Sequence, residues 1–322
     1  YLLTAAAVEL LQKIYVSHYL NRLYPYLKDK RVEKLTKEET GEVVTKTKAL
    51  VLHKVGDVAR LQTDSMIISS FINVTVNGFV DNYNMIMNSA ANVVNIVFNS
   101  VLSSFGNLIA TESRDRQYEL FKVYRFAASW IYGFAAVGFA ILLTPFITLW
   151  VGAERTLAFS VIGCILIDFY FKGERIVLSN FKTAAGVFEQ DKYLALIQGV
   201  VNLVISIVLV VRIGLVGVYI GTIVSGLIAN VTKPIIIYHV ILDRKAGEYF
   251  RDSMKYCLLL VIQYGIFYGI SGIIMKEITI LTFLVMFVII CVVFNGIFLM
   301  VFRKAGEFQY LVTIVKGKFR KR

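Results

Sequence analysis

Seven polar side chains between residues 77 and 99 recur at intervals of three and four residues. They are Asn77, Asp81, Asn84, Asn88, Asn92, Asn95 and Asn99. This spacing places all seven on one face of a single helix, in a segment that is otherwise apolar. Amide side chains in hydrocarbon need hydrogen-bond partners, so this face must meet water or another polar helix. The row predicts the wall of a wet cavity, and the alternative is a set of hydrogen bonds between packed helices.

Two other segments place charged residues on one helical face. The first holds His53, Asp57, Arg60 and Asp64, and the second holds Asp168, Lys172, Arg175, Ser179 and Lys182. In the first segment Arg60 can pair with both acids, which fits either a cavity wall or a self-neutralised structural network. In the second, Lys172 and Arg175 either extend to the membrane interface or attract an anionic head group. We therefore treat Arg60, Lys172 and Arg175 as candidates for binding a pyrophosphate.

The residue types needed for common catalytic and metal sites are scarce. The three histidines and three cysteines are scattered, without Cys-x-x-Cys spacing, so neither a zinc site nor a Ser-His-Asp triad is indicated. We predict no catalytic residue, no metal ion and no cofactor. The formal net charge of +12 could suggest a nucleic-acid partner, but no basic stripe lies in a soluble domain, so none is predicted.

The elements that position these residues are predicted to be membrane helices. Hydrophobic residues make up 57% of the chain and the mean hydropathy is +0.68, values that indicate a lipid environment. Five uncharged stretches are long enough to cross a bilayer, at 126–153, 194–211, 213–232, 256–275 and 278–302. Further spans are predicted at 82–111 and, with charges inside, near 55–73 and 156–180. The predicted fold is an all-α polytopic membrane bundle of about eight transmembrane helices, preceded by a partial one.

Loop charge predicts the orientation of these helices. Alternate connections hold 29 of the 34 Lys and Arg residues, which makes the basic set cytoplasmic and places both ends of the chain in the cytosol. Residues 1–24 are interpreted as the end of a preceding transmembrane helix, and 25–54 as a cytoplasmic linker with an amphipathic surface helix. Residues 55–302 form the predicted bundle, and 303–322 a basic cytoplasmic tail that is attracted to anionic lipid.

Several segments together resemble the polysaccharide-transporter branch of the multidrug/oligosaccharidyl-lipid/polysaccharide flippase superfamily. The segments are 63–72, 83–99, 104–110 with Glu112, 181–188 with 191–193, and 214–218 with Gly221 and Thr222. The resemblance implies two helical lobes around a central cavity, with this chain supplying the end of one first-lobe helix and the second lobe. It also implies that cavity arginines bind the anion, a role that Arg60 and Arg175 would match.

The resemblance implies transport rather than catalysis. The expected substrate is an undecaprenyl-pyrophosphate-linked oligosaccharide, flipped across the bacterial cytoplasmic membrane by alternating access for surface polysaccharide such as O-antigen or capsule. Expected partners are this lipid-linked oligosaccharide, membrane lipid and polysaccharide assembly proteins. One alternative is a cation-coupled drug exporter of the same superfamily, which would have an acidic cavity. Another is a membrane enzyme acting on a polyprenyl-linked sugar, disfavoured by the short outside loops and the lack of an Asp-x-Asp motif.

Overall fold

The computed structural model of the chain describes residues 2–28 and 36–319, and at some helical positions, among them 52–62, it describes the backbone alone. Within that part all regular elements are helical, apart from turns. The α-helices are α1 (Leu2–Leu23), α2 (Lys37–Phe71), α3 (Val74–Asn99), α4 (Leu102–Thr111), α5 (Arg114–Val151), α6 (Phe159–Ala184), α7 (Leu194–Ile213), α8 (Leu215–Val240), α9 (Gly247–Ile274), α10 (Ile280–Phe302) and α11 (Gly306–Phe319).

Six helical stretches of the described chain are long and apolar enough to cross a membrane. They are Val74–Thr111, Arg114–Val151, Leu194–Ile213, Leu215–Val240, Gly247–Ile274 and Ile280–Phe302. The prediction of an all-α polytopic membrane bundle is confirmed. The two remaining predicted spans correspond to α2 and α6, which are long helices with charged residues inside them. Length and composition therefore identify six of the eight predicted spans.

The chain divides into two compact units, Tyr1–Thr47 and Lys48–Arg322. In the first unit, Thr36 and Glu39 close the start of α2: the Glu39 carboxylate accepts from the Thr36 backbone N–H at 2.8 Å, and the Glu39 N–H donates to the Thr36 hydroxyl at 3.2 Å. The Thr36 backbone N–H and the Thr36 hydroxyl, which both donate to the Glu39 carboxylate, lower the pKa of Glu39. The predicted boundary at residue 54 falls inside α2, because one continuous helix includes both the predicted surface helix and the predicted span.

In the second unit, α5 and α6 lie side by side and most other helices pack against one of them. Helices α3, α4 and α8 contact α6, whereas α9, α10 and α11 contact α5. The close approach of α5 to α6 requires Gly173, since a Cβ there would lie 2.1 Å from Cγ of Tyr132. Helix α6 buries five polar or charged residues, namely Asp168, Glu174, Arg175, Asn180 and Lys182. Its interior position explains why it is less apolar than its neighbours.

Helices α7 and α8 form a tight antiparallel pair joined at Gly214, which has a φ of +63° that favours glycine. Further along the pair, a Cβ on Gly221 would lie 2.2 Å from the Ser206 Oγ and 2.9 Å from its backbone nitrogen. The glycines of α8 therefore allow close helix packing, as in other membrane bundles.

The predicted span 82–111 is not one straight helix, because α3 ends at Asn99 and α4 begins at Leu102. The residues between them, Ser100 and Val101, are called the α3–α4 joint below. The predicted basic tail, residues 303–322, contains a helix that is packed on the bundle: α11 contacts the first turns of α5. There the Lys122 Nζ lies 3.7 Å from the Glu307 carboxylate.

Candidate functional site

A polar cavity of about 280 Å³ lies between α2, α3, α6 and α8. Its polar lining consists of Asp64, Ser65, Asp81, Asn84, Asn88, Asp168, Lys172, Tyr219 and Thr222. Each of the three segments that the sequence singled out contributes to this lining. Among the described side chains the cavity has three carboxylates and one ammonium group, so its formal charge is negative.

Asp64 joins three helices through hydrogen bonds. Its Oδ1 accepts from the Asn202 Nδ2 of α7 at 2.9 Å, and its Oδ2 accepts from the Thr222 hydroxyl of α8 at 2.8 Å. Asn202 and Thr222 are neutral donors, so these bonds hold the carboxylate in place without neutralising its charge. A charge at this depth is costly, and a proton, a bound cation or Lys172 across the cavity must offset it.

The partners of Asp64 are themselves fixed in position. The Ser206 Oγ lies 3.0 Å from both the Asn202 Oδ1 and the Val218 carbonyl oxygen, either of which can accept its proton, and neither Asn202 nor Ser206 is exposed. Sequence reasoning did not assign Asn202, Ser206 or Thr222 to the site, because they lie in uncharged spans; Thr222 was noted only as part of the family resemblance. The available signal was the pair Asn202 and Ser206 at i and i+4, since polar side chains inside an apolar span must face protein or water.

Lys172 and Asp168 form an ion pair one turn apart on α6, with 2.5 Å between the Nζ and the Oδ2. The side chain of Asp168 is 9% exposed, whereas that of Lys172 is 46% exposed and lies in the cavity lining. Lys172 is therefore the one cation of the described lining that is available to a solute. An anionic ligand at this point would compete with Asp168 for the ammonium group.

The other residues of the α6 row lie away from the cavity. Arg175 is buried and its Nη1 donates to the Gly226 carbonyl of α8 at 2.7 Å. Lys182 is buried in an ion pair with Asp191, at 2.6 Å, which holds the loop between α6 and α7. The Ser179 hydroxyl accepts from Lys233 at 3.3 Å. Of the predicted pyrophosphate candidates, the structure places Lys172 in the cavity and Arg175 in the contact between α6 and α8.

The row on α3 divides into two kinds of contact. Asp81, Asn84 and Asn88 line the cavity, and Asn77 donates to Asp81 at 3.4 Å. Asn95 instead accepts a hydrogen bond from the Tyr132 hydroxyl of α5, which is the helix-bonding alternative. Asn92 and Asn99 are exposed. Part of the row thus lines the cavity and part forms a hydrogen bond between helices, at different depths of α3.

Two predicted wall residues, Asp57 and Arg60, belong to α2, but their side chains lie outside the described residues, as does that of His53. The opposite face of α3 has a different character. There Ile86 and Ala90 line a groove of about 280 Å³ with α5 and α10, and the described groove residues are all apolar or glycine. The cavity is thus confined to one side of α3.

A second polar cluster, called the Arg125 cluster, lies between α5, α6 and α9. The Arg125 Nη2 donates to the Tyr249 carbonyl and to the Ser253 hydroxyl, each at 2.7 Å. The guanidinium stacks over the Tyr249 ring, 3.7 Å from its centroid. Ser253 in turn donates to Glu174 at 3.1 Å, and Ser129 donates to the same carboxylate at 3.3 Å. Arg125 and Glu174 are both buried.

The helices and the cavity define a multi-pass membrane protein with a polar cavity inside its helical bundle, whose described lining holds more carboxylates than cations. No protein-family model, no curated protein and no solved structure matches the chain. The resemblance to polysaccharide transporters therefore remains a prediction, and a functional proposal must rest on the geometry of the cavity.

Proposed function

We propose that this protein flips an undecaprenyl-pyrophosphate-linked oligosaccharide across the bacterial cytoplasmic membrane, from the inner to the outer leaflet, without making or breaking a covalent bond. The polar head would pass through the cavity while the polyprenyl tail stays in the surrounding lipid. Polysaccharide assembly proteins would supply and collect the substrate. In this orientation the loops rich in Lys and Arg, and both ends of the chain, lie in the cytosol.

The observation that carries the proposal is a cavity with an amide-lined wall and one available cation. Asn84 and Asn88 can both donate and accept hydrogen bonds, which suits the hydroxyl groups of a sugar. Lys172 lies in the same lining and can exchange its bond to Asp168 for one to a phosphate oxygen. The row continues to the exposed Asn92 and Asn99, which gives an extended polar surface suited to a long head group.

A second candidate is a cation-coupled exporter, and a specific observation favours it. Asp64, Asp81 and Asp168 outnumber Lys172 in the described lining, so the cavity has the acidic character expected for cationic substrates. The two candidates differ in the role of Lys172. A flippase uses it to bind the anion, whereas an exporter of cations has no anion for it to bind.

Complementation of a flippase-deficient strain with the full-length protein tests the proposal. We expect Lys172→Gln to lower surface polysaccharide by about tenfold to a hundredfold, because a hydrogen bond to a charged group contributes about 1.5 to 3 kcal/mol. Lys172→Arg should restore most of the activity. Lys276→Gln, which removes an exposed cation in the turn before α10, is the matched control and should have no effect.

Two outcomes separate the candidates. Normal polysaccharide from Lys172→Gln, at wild-type protein level, would contradict the flippase assignment. If that variant also kept the strain's resistance to cationic dyes while Asp64→Asn lost it, the exporter assignment would replace it. Loss of polysaccharide in Lys172→Gln with unchanged dye resistance in both variants supports the flippase.

A further inference from the structure

The α3–α4 joint interrupts a membrane helix without a proline or glycine at the break. Ser100 ends α3 by donating its N–H to the Ile96 carbonyl at 3.0 Å, and Val101 has φ −93° and ψ 3°. A break at this depth leaves carbonyl groups without their intrahelical partners, which is tolerated only where side chains or water satisfy them. Here the Asn180 Nδ2 of α6 donates to the Phe98 carbonyl at 3.0 Å. Asn180 is buried, so protein rather than bulk water satisfies this carbonyl.

Helix α8 has a related weak segment. The carbonyls of Ser225 and Gly226 accept side-chain donors from two other helices, namely Gln198 of α7 and Arg175 of α6, each at 2.7 Å. About two turns further on, Pro234 has no N–H to donate to the Asn230 carbonyl. Side-chain insertion and proline are two of the usual causes of kinks in helices. Residues 225–234 of α8 are therefore a segment that can bend.

Each of these weak points has one donor from α6, namely Asn180 at the α3–α4 joint and Arg175 at the Gly226 carbonyl of α8. Asn180 follows Arg175 by five positions, which turns the two side chains about 140° apart on the helix. Arg175 points toward α8 and Asn180 toward α3. Helix α6 is also fixed to its surroundings by the Lys182–Asp191 ion pair and by Glu174, which accepts from Ser253 of α9. Helix α6 is therefore anchored, and its side chains donate hydrogen bonds to backbone carbonyls at the weak points of α3 and α8.

We propose that Asn180 and Arg175 are positioning residues that hold two bending points, the α3–α4 joint and residues 225–234 of α8, about which the cavity helices move relative to α6. This inference rests on the proposed function in one respect only, because both assume that the bundle works by alternating access. Asn84 and Asn88 precede the α3–α4 joint, so the joint lies between them and α4. Thr222 precedes residues 225–234, so that segment lies between Thr222 and the C-terminal end of α8. Bending there would move cavity-lining residues while the rest of the bundle stays in place.

Spin-label distances in the full-length protein, in lipid nanodiscs and with Cys164, Cys257 and Cys291 replaced by alanine, test the first bending point. The pair Val93→Cys and Ala110→Cys has exposed positions 17 residues apart across the joint. The matched pair Arg251→Cys and Tyr268→Cys has the same separation inside the unbroken α9. A straight helix separates such positions by about 26 Å along its axis.

We expect the α9 pair to give one narrow distance and the α3–α4 pair to give a broad or two-component distribution. Asn180→Leu should shift that distribution, Asn180→Gln should restore it, and the α9 pair should not change. An α3–α4 distribution as narrow as that of α9 in the wild type would overturn the proposal, even if Asn180→Leu fails to fold. A broad distribution that is unaffected by Asn180→Leu would overturn the role of Asn180.

The second bending point is tested in the same way. The exposed positions Val224 and Val240 lie on the two sides of residues 225–234. We expect Arg175→Met to shift the distance between labels at these positions. An unchanged distribution in a folded Arg175→Met protein would contradict the role of Arg175. These distances are measured without substrate. They can therefore contradict the bending points while the flippase proposal stands, and the polysaccharide assay can contradict the flippase proposal while the bending is observed.

Discussion

The cavity and the Arg125 cluster are both polar regions inside an apolar bundle, yet they differ in how their charges are satisfied. In the cluster, Arg125 and Glu174 are buried and linked through Ser253, and the guanidinium also stacks on Tyr249. In the cavity, Lys172 is 46% exposed and Asp64 accepts hydrogen bonds from neutral donors. A charge inside a membrane bundle therefore does not by itself mark a functional site. The distinguishing feature is a charge that can change its partner.

The largest expected effect is on stability and comes from the Arg125 cluster. Arg125→Met should lower the free energy of unfolding by about 3 to 5 kcal/mol, because it leaves Glu174 as a buried carboxylate without its compensating cation. Thermal unfolding of the purified protein, followed by size-exclusion chromatography, measures the loss. The double variant Arg125→Met, Glu174→Gln should recover much of it. A stable single variant with impaired polysaccharide export would place the Arg125 cluster in the transport machinery instead.

A smaller effect should separate two neighbours in the α3 row. Asn95 bonds Tyr132, so Asn95→Ala should lower stability by about 0.6 kcal/mol, which is typical of a hydrogen bond between membrane helices, and leave export unchanged. Asn88 lines the cavity, so Asn88→Ala should reduce export and leave the unfolding temperature unchanged. Unfolding temperatures and complementation of both variants check the pair. Identical behaviour of the two variants would remove the distinction between the two parts of the row.

Much of the fold was predictable, because the length and apolar content of the helices follow from bilayer thickness. The helical face that holds Asn84, Asn88 and the rest of the α3 row was also predictable, since helix periodicity fixes it. The partners of those residues were not. That Asp64 contacts Asn202 and Thr222 depends on how α2, α7 and α8 pack, and no local spacing encodes that packing. The direction of Arg175 depends in the same way on the position of α8.

The α3–α4 joint was hidden for a related reason. Ser100 and Val101 are not residues that break helices by themselves, and the carbonyl freed at the break is satisfied by Asn180, about eighty residues further along the chain. The tertiary contact, rather than local propensity, stabilises the interruption. Sequence periodicity alone therefore predicts one helix from 82 to 111.

The central claim is that one face of α3 borders a water-filled cavity, and cysteine accessibility tests it most directly. In the cysteine-free protein, single cysteines replace Asn84, Asn88 and Asn92 on the polar face, and Val93 and Val97 on the other side of the helix. A charged, membrane-impermeant thiol reagent is applied to both sides of membrane vesicles. We expect the three polar-face positions to react at least about tenfold faster, because the reactive thiolate forms in water and not in hydrocarbon. Equal rates on the two faces would contradict the account.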